Sequence, residues 1–201
     1  MKQEILKHLP REFPWQVHWY NDLPSTNDLL KEMGKAGAPH GTIVIADSQS
    51  HGRGRLGRSF HSPAGNGIYL SVLLRPRCKA HALMHLTCAV AVAMCDAVQT
   101  ATGFRPGVKW INDLVFGSKK LGGILTELHL TGEGDVAFCV IGIGINCKKS
   151  PVAQELEHIV LSLEEAIGKE VDRFALMGAM LAALLQMNEA CEPSTRQNER
   201  P

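Results

Sequence analysis

The sequence predicts an α+β domain, a mixed and largely antiparallel sheet flanked by helices. Three observations point there. Short runs rich in β-formers recur between Trp15 and Asn146, several of them close enough to pair as hairpins. An alanine-rich apolar segment fills residues 80–101. A capping-box helix and a long helix follow the last strand. Successive hairpins with helices beside them form two packed layers around one core.

Taken in order, Trp15 to Tyr20 reads as the first strand. Leu23-Pro24-Ser25-Thr26-Asn27-Asp28 reads as a helix entrance, with Ser25 or Thr26 as N-cap and Leu29, Leu30 and Met33 on the buried face. Thr42 to Asp47 and Gly67 to Arg75 are strands, and residues 80–101 form a long buried helix. Val108 to Trp110 and Leu114 to Phe116 are short strands, with Gly117-Ser118 as a turn. Leu121 to Thr131 and Asp135 to Asn146 make a hairpin around Gly132-Glu133-Gly134. Ser162 to Gly168 is a short helix whose Glu165 completes a capping box, and Asp172 to about Ala190 is an amphipathic helix. Residues 1–190 thus read as one domain, and 191–201 as a polar tail expected to be disordered.

Composition narrows the function. A chain of 201 residues that is 45% hydrophobic can bury a sizeable core. A net charge of +1 speaks against a general nucleic-acid binder. The start, MKQEILKHLPREF, lacks the apolar core of a signal peptide. The most apolar stretch, His81 to Ala101, is interrupted by His85, Asp96 and Gln99, so no membrane partner is expected. Cys78, Cys88, Cys95, Cys139, Cys147 and Cys191 form no Cys-x-x-Cys pair. They read as thiols, several of them buried, in a reducing cytoplasm. His81 and His85 have ligand-like spacing, but no His-Glu-x-x-His accompanies them. No Gly-x-Ser-x-Gly elbow marks a serine hydrolase.

The stretch Ser48 to Pro63, SQSHGRGRLGRSFHSP, says more. Gly52, Gly54 and Gly57 separate Arg53, Arg55 and Arg58, and no Asp or Glu occurs from Ser48 to Cys95. Glycine lets backbone approach a ligand, and arginine presents a planar fork of donors to carboxylate or phosphate oxygens. Two guanidinium groups ~7 Å apart repel by roughly 0.6 kcal/mol in water, and a bound anion reverses that. A loop mobile when empty and ordered with ligand is expected. Gly52-x-Gly54-x-x-Gly57 also matches the dinucleotide fingerprint, but the breaker-rich Ser59 to Gly67 cannot open the helix which that motif requires. A basic solvated turn is the plain alternative, and three arginines in glycine spacing weigh against it.

Further along, Lys109-Trp110-Ile111-Asn112-Asp113 ends a strand, and Lys119-Lys120-Leu121-Gly122-Gly123-Ile124 enters the next hairpin. A lysine beside two glycines can face an anion while the backbone packs on the ligand, although isolated lysines usually occupy solvated faces. Gly142-Ile143-Gly144-Ile145-Asn146 places glycines inside a strand, which marks a bulge, helix packing or a ligand floor.

Together these segments resemble a biotin–protein ligase, over about Trp15 to Asn146. Ser25-Thr26-Asn27, Gln49 to Phe60, Lys109 to Asp113, Lys120 to Ile124 and Gly142 to Asn146 carry the resemblance. It implies a catalytic domain of the class II aminoacyl-tRNA synthetase and biotin ligase type. The implied reaction joins biotin and ATP, with Mg2+, into biotinyl-5′-adenylate and then acylates a lysine of a biotin carboxyl carrier domain. By that resemblance Ser25, Thr26, Asn27 and Gln49 hold the biotin head group. Gly52, Arg53 and Gly54 wrap the carboxylate and the adenylate. Arg55 and Arg58 meet phosphate oxygens, and Lys120 bridges carboxylate and α-phosphate as the leading catalytic residue. Phe60 and Asn146 contact adenine, Asn112 lies near the reaction centre, and Asp113 orients the incoming lysine. Gly123, Gly142 and Gly144 form the floor, and Trp110 packs rather than reacts.

The chain departs from the family's pattern in places. Ile111 replaces a usual proline and Phe60 a common tryptophan. No helix-turn-helix is read before Trp15, so no DNA partner is expected. No small β-rich C-terminal domain follows the last helix, which puts ATP affinity and transfer in question. The competing readings are a lipoate ligase of the same superfamily and a protein that binds biotin or its adenylate without transferring it. Homodimerisation through an exposed sheet edge is compatible with the sequence.

Overall fold

A computed structural model describes residues 2–132, 134–151 and 156–191. The tail beyond residue 191 and Glu133 of the predicted hairpin turn lie outside the described residues. The elements in chain order are α1 (Lys2–Lys7), β1 (Gln16–Leu23), α2 (Thr26–Lys35), β2 (Thr42–Gln49), β3 (Gly67–Leu74), α3 (Leu86–Thr102), β4 (Gly107–Lys109), β5 (Asp113–Phe116), β6 (Lys119–Leu130), β7 (Val136–Asn146), α4 (Leu163–Ile167) and α5 (Arg173–Cys191).

The strands form one seven-stranded sheet in the order β1-β2-β3-β7-β6-β5-β4. β1 and β2 are parallel because α2 crosses between them, and every other pair is antiparallel. The mixed α+β fold expected from the sequence is therefore the fold observed.

Side-chain alternation divides the sheet into two unlike faces. Ile43, Ile45, Ile68, Leu70, Val72 and Ile141 point into the main core beneath α3 and α5. Their neighbours Val44, Leu73, Phe138 and Val140 point to the other face, where Leu30 of α2 covers them. Ser25 caps α2 as predicted, its side chain accepting from the Asp28 amide. The far end of α2 is fastened by Arg75. Its guanidinium donates to the carbonyls of Gly34, Ala38 and Ala137 and lies over the Phe138 ring.

Three expectations are corrected. The helix expected over residues 80–101 starts only at Leu86, after a 3-10 turn at Ala80–Leu83. Lys79 is tied to Asp135 by a β-bridge and a 2.9 Å ion pair, which draws the segment's start toward the β6–β7 turn. By length and composition Ala80–Thr102 would reach across a bilayer, but here α3 packs on α5 and β6. This break also puts His81 in the turn and His85 at the helix cap rather than on one helical face.

The second correction concerns α5, which is apolar all round rather than amphipathic. It packs against α3, α1 and β3, so it has apolar neighbours on several sides. Leu176, Met177, Met180, Leu181 and Leu184 are at most 1% exposed. Arg173 ties its start to the sheet by a 3.1 Å pair with Asp47 and a 2.9 Å bond to the Gly67 carbonyl. Third, Trp110 does not pack; it is 75% exposed at the end of the short edge strand β4. Nothing in β4 covers it, since Gly107, Val108 and Lys109 are all exposed themselves.

Candidate functional site

The site lies on the α2 face of the sheet, where side chains give way to hydrogen and hydroxyl. Strand pairing sets Gly123 opposite Gly144 and Gly142 opposite both Leu125 and Ser71. On a covered face each of these positions would ordinarily carry a core side chain. A Cβ on Gly142 would collide with the Asn27 amide, and one on Gly144 would stand 2.6 Å from the Phe60 ring. The glycines inside β7 are therefore a floor and not a bulge.

The N-terminal turn of α2 supplies one wall. Ser25, Thr26 and Asn27 are only 2–4% exposed, yet their polar groups are paired. The Thr26 amide and hydroxyl donate to Gln49 Oε1 at 2.9 and 3.1 Å, and Gln49 Nε2 donates to Ser62 Oγ at 2.9 Å. Ser71 Oγ lies 2.8 Å from Thr26 Oγ1 and 2.6 Å from Asn27 Oδ1. Asn27 Nδ2 donates to Glu127 Oε2 at 2.9 Å. Apart from Glu127 behind it, the wall is a network of neutral donors and acceptors, suited to a compact group with its own N–H and C=O.

The glycine–arginine segment folds over this wall. The Gly54 amide donates to the Arg58 carbonyl and the Phe60 amide to the Gly52 carbonyl. Between them Leu56 and Gly57 take positive φ, 56° and 73°, and Leu56 is 90% exposed. Glycine accepts that conformation freely and leucine does so at a cost. Arg55 reaches across to Asn112 Oδ1 at 3.0 Å. Lys120 Nζ donates to Asp113 Oδ1 at 2.7 Å, and Asn112 Nδ2 donates to the same oxygen at 3.0 Å. Arg53 turns the other way and pairs with Asp28 and Glu127. Burial works against the Asp28 carboxylate, but hydrogen bonds from Lys31 and Arg53 outweigh it and hold its pKa below the usual carboxylate value. The Arg53 guanidinium is correspondingly held above its ordinary value, chiefly by the bond to Asp28.

Two clefts result. The first, about 470 Å3 including its open mouth, brings together Ser25, Thr26, Asn27, Gln49, Arg53 and Gly54 on one side. Arg55, Phe60, Asn112, Lys120, Gly123, Gly142 and Gly144 line it as well, and Ile124, Leu125 and Ile143 complete it. The second, about 1910 Å3 including its open mouth, holds Arg58, Asn146, Lys119, Lys148 and Lys149. Phe60 and Lys120 line both, so they stand where the two meet. Of the residues picked from sequence, Gly52 and Asp113 line neither cleft. Gly52 is packed under the loop, where a Cβ would meet the Phe60 carbonyl and Ser62, and Asp113 acts from behind Lys120.

Sequence reasoning missed Ser71, Ser62 and Glu127. One serine inside the apolar run of β3 was the available signal for Ser71. Glu127 gave none, because its partner Asn27 is 100 positions away.

Sequence comparison places this fold and this cleft in a family of protein ligases. Residues 19–146 match the biotin/lipoate A/B protein ligase family, and the chain belongs to it. Among individual relatives, the bifunctional ligase/repressor BirA of Bacillus subtilis is 38% identical over 183 residues, 90% of this chain and 56% of that protein. The bifunctional ligase/repressor BirA of Escherichia coli is 36% identical over 165 residues, 81% of this chain and 50% of that one. The chain thus spans about half the length of these curated relatives. The biotin protein ligase from Aquifex aeolicus, solved in complex with biotin and ATP, superposes with a TM-score of 0.72 at 30% identity, covering 87% of this chain and 70% of that one.

Proposed function

We propose that this chain is the catalytic unit of an ATP-dependent biotin–protein ligase. The observation that carries this reading is the pair of adjoining clefts sharing Lys120 and Phe60, the first walled by the neutral side chains of Ser25, Thr26, Asn27 and Gln49, the second lined by Arg58, Lys119, Lys148 and Lys149 in excess over Glu157 and Glu165. Biotin enters the first, its ureido ring against Ser25, Thr26, Asn27 and Gln49 and its carboxylate toward Arg55 and Lys120. ATP lies in the second, with adenine near Phe60 and Asn146 and phosphates toward Arg58 and its lysines.

A carboxylate attacking the α-phosphate must overcome like-charge repulsion, and fixed cations offset it. Lys120 sits between the clefts and neutralises both reactants as they meet. The carboxylate oxygen bonds to phosphorus, pyrophosphate leaves, and biotinyl-5′-adenylate remains. A carrier-domain lysine then attacks the acyl carbon, AMP departs, and Asp113 orients the incoming amine. Among the described residues no three His, Cys, Asp or Glu side chains converge as a metal site. Mg2+ is taken to arrive on the nucleotide's phosphates. The partner is a biotin carboxyl carrier domain, the setting is the cytoplasm, and the edge strand β4 leaves room for a homodimer.

Mass spectrometry of a carrier domain incubated with this chain, biotin and MgATP tests the reading, with pyrophosphate followed in parallel. One biotin-sized increment on one lysine is expected. Lys120→Ala should slow pyrophosphate release by about 100-fold or more. Pyrophosphate without the increment would reduce the reading to adenylate formation, and neither signal would overturn it. Lipoate taken up in place of biotin would move the chain to the other branch of its family.

A further inference from the structure

We infer that Glu127 is a positioning residue that sets the orientation of the Asn27 amide and fastens the glycine–arginine loop through Arg53. The inference rests on the proposed biotin reading and adds a residue that reading did not contain. Glu127 lies on β6, on the same face as Gly123 and Leu125, and its side chain is 23% exposed. It does not line the cleft; it acts through two residues that do.

The first is Asn27. An ionised carboxylate can only accept, so it takes the Asn27 amino group at 2.9 Å, beside a longer 3.5 Å contact to the Leu125 carbonyl, and leaves Oδ1 to accept from Ser71. With a carbonyl oxygen and an amino group of nearly equal shape, an asparagine needs such a partner to choose its orientation. The choice decides whether the pocket offers an acceptor or a donor to the ligand's ring.

The second is Arg53. Glu127 Oε1 faces Arg53 at 3.4 Å and Lys31 at 3.2 Å. Asp28 pairs with both of those cations as well. Two carboxylates and two cations from α2, β6 and the loop therefore alternate, with no excess charge. The first arginine of the loop is consumed in anchoring it, and Arg55 and Arg58 are left to meet anions. Within this lattice the Glu127 carboxylate holds both the Asn27 amide and the loop's Arg53.

Three variants test this. Glu127→Gln keeps the size and removes the charge, and its amide can donate, so only the 3.5 Å contact to the Leu125 carbonyl still favours the present Asn27 orientation. Its biotin Kd should rise by about 10- to 100-fold, the range of a lost charged hydrogen bond. The adenylation kcat at saturating biotin should stay within about threefold, since no reacting atom is touched. Glu127→Ala should weaken biotin at least as much. Asp28→Asn loosens Arg53 but leaves Asn27 held; it should raise tryptic cleavage after Arg53 in the ligand-free chain and change biotin affinity less than Glu127→Gln does. Thermal unfolding of each variant reports any general loss of structure separately. A biotin Kd within twofold of wild type in Glu127→Gln, or a kcat that falls as far as kcat/KM, would overturn the inference. A wild-type chain that bound no biotin would instead overturn the functional reading beneath it, and the inference with it.

Discussion

On the side facing α3 and α5, strands β3 and β7 present Ile68, Leu70, Val72, Cys139 and Ile141, each at most 1% exposed. On the side facing α2 the same two strands pack Leu73, Phe138 and Val140 under the helix, but around the cleft they present Tyr69, Ser71, Gly142 and Gly144. One set of backbone hydrogen bonds serves both. The packed face holds the sheet in shape with contiguous aliphatic surface, and the hollow face uses that rigidity to keep a cavity from collapsing. The difference shows how a recognition site is placed in a small domain: remove side chains on one face only, and let alternation confine the cost to that face.

The sharpest way to break this comparison is to exchange the two characters. Ile141→Ala should destabilise the protein by about 2–5 kcal/mol, as buried truncations do, while the folded fraction keeps its biotin affinity. Gly144→Val should do the reverse and weaken biotin at least about 100-fold, because the new side chain occupies the Phe60 ring's place. Urea unfolding and calorimetric titration of both variants decide it. If each variant lost stability and affinity alike, the faces would not be separable.

A smaller effect is expected where α4 docks on the packed side through the fully buried Leu163. Ser162 caps this helix, and Glu165 returns the bond in a reciprocal box. Burial alone would raise the Glu165 pKa, but the Ser162 bonds and Lys149 hold it below normal. A carboxylate depressed in the folded state contributes above its unfolded pKa of about 4.3, and the contribution is lost as pH falls through the folded value. Ser162→Ala should cost about 1 kcal/mol at pH 7 and flatten the stability profile below about pH 4.3. Unfolding curves across that range check it. Smallest of all is a labelling contrast. Burial pushes the thiols of Cys139 and Cys147 up to about 12, so both are protonated at pH 8. Iodoacetamide on the folded protein should mark the partly exposed Cys78 and Cys88 before Cys139 and Cys147, as read by peptide mass mapping.

The hollow face was more legible in the sequence than its wiring. Ser25 as a cap and the Ser162–Glu165 box are local patterns, with partners three positions away. Gly142 and Gly144 stood out because glycine inside a strand needs a reason. Asn27 and Glu127, by contrast, meet only because the strand order brings β6 beside β7 and both beneath α2, which no local pattern encodes. The start of α3 was misread because the apolar run extends past the helix in both composition and length, while Lys79's tie to Asp135 is a tertiary effect. The exposure of Trp110 was hidden for a related reason: aromatic residues usually pack, and only the edge position of β4 leaves this one uncovered.

Arg75 gives α2 the mechanics of a beam clamped at both ends. Three carbonyls and an aromatic ring grip its C-terminal support. Its N-terminal turn follows directly on β1, where the carbonyls of Leu23 and Pro24 accept from the amides of Ser50 and His51, and Gln49 and Ser71 hold Thr26 and Asn27. A beam pinned at both ends keeps its line, so a helix only ten residues long presents Ser25, Thr26 and Asn27 as a fixed edge.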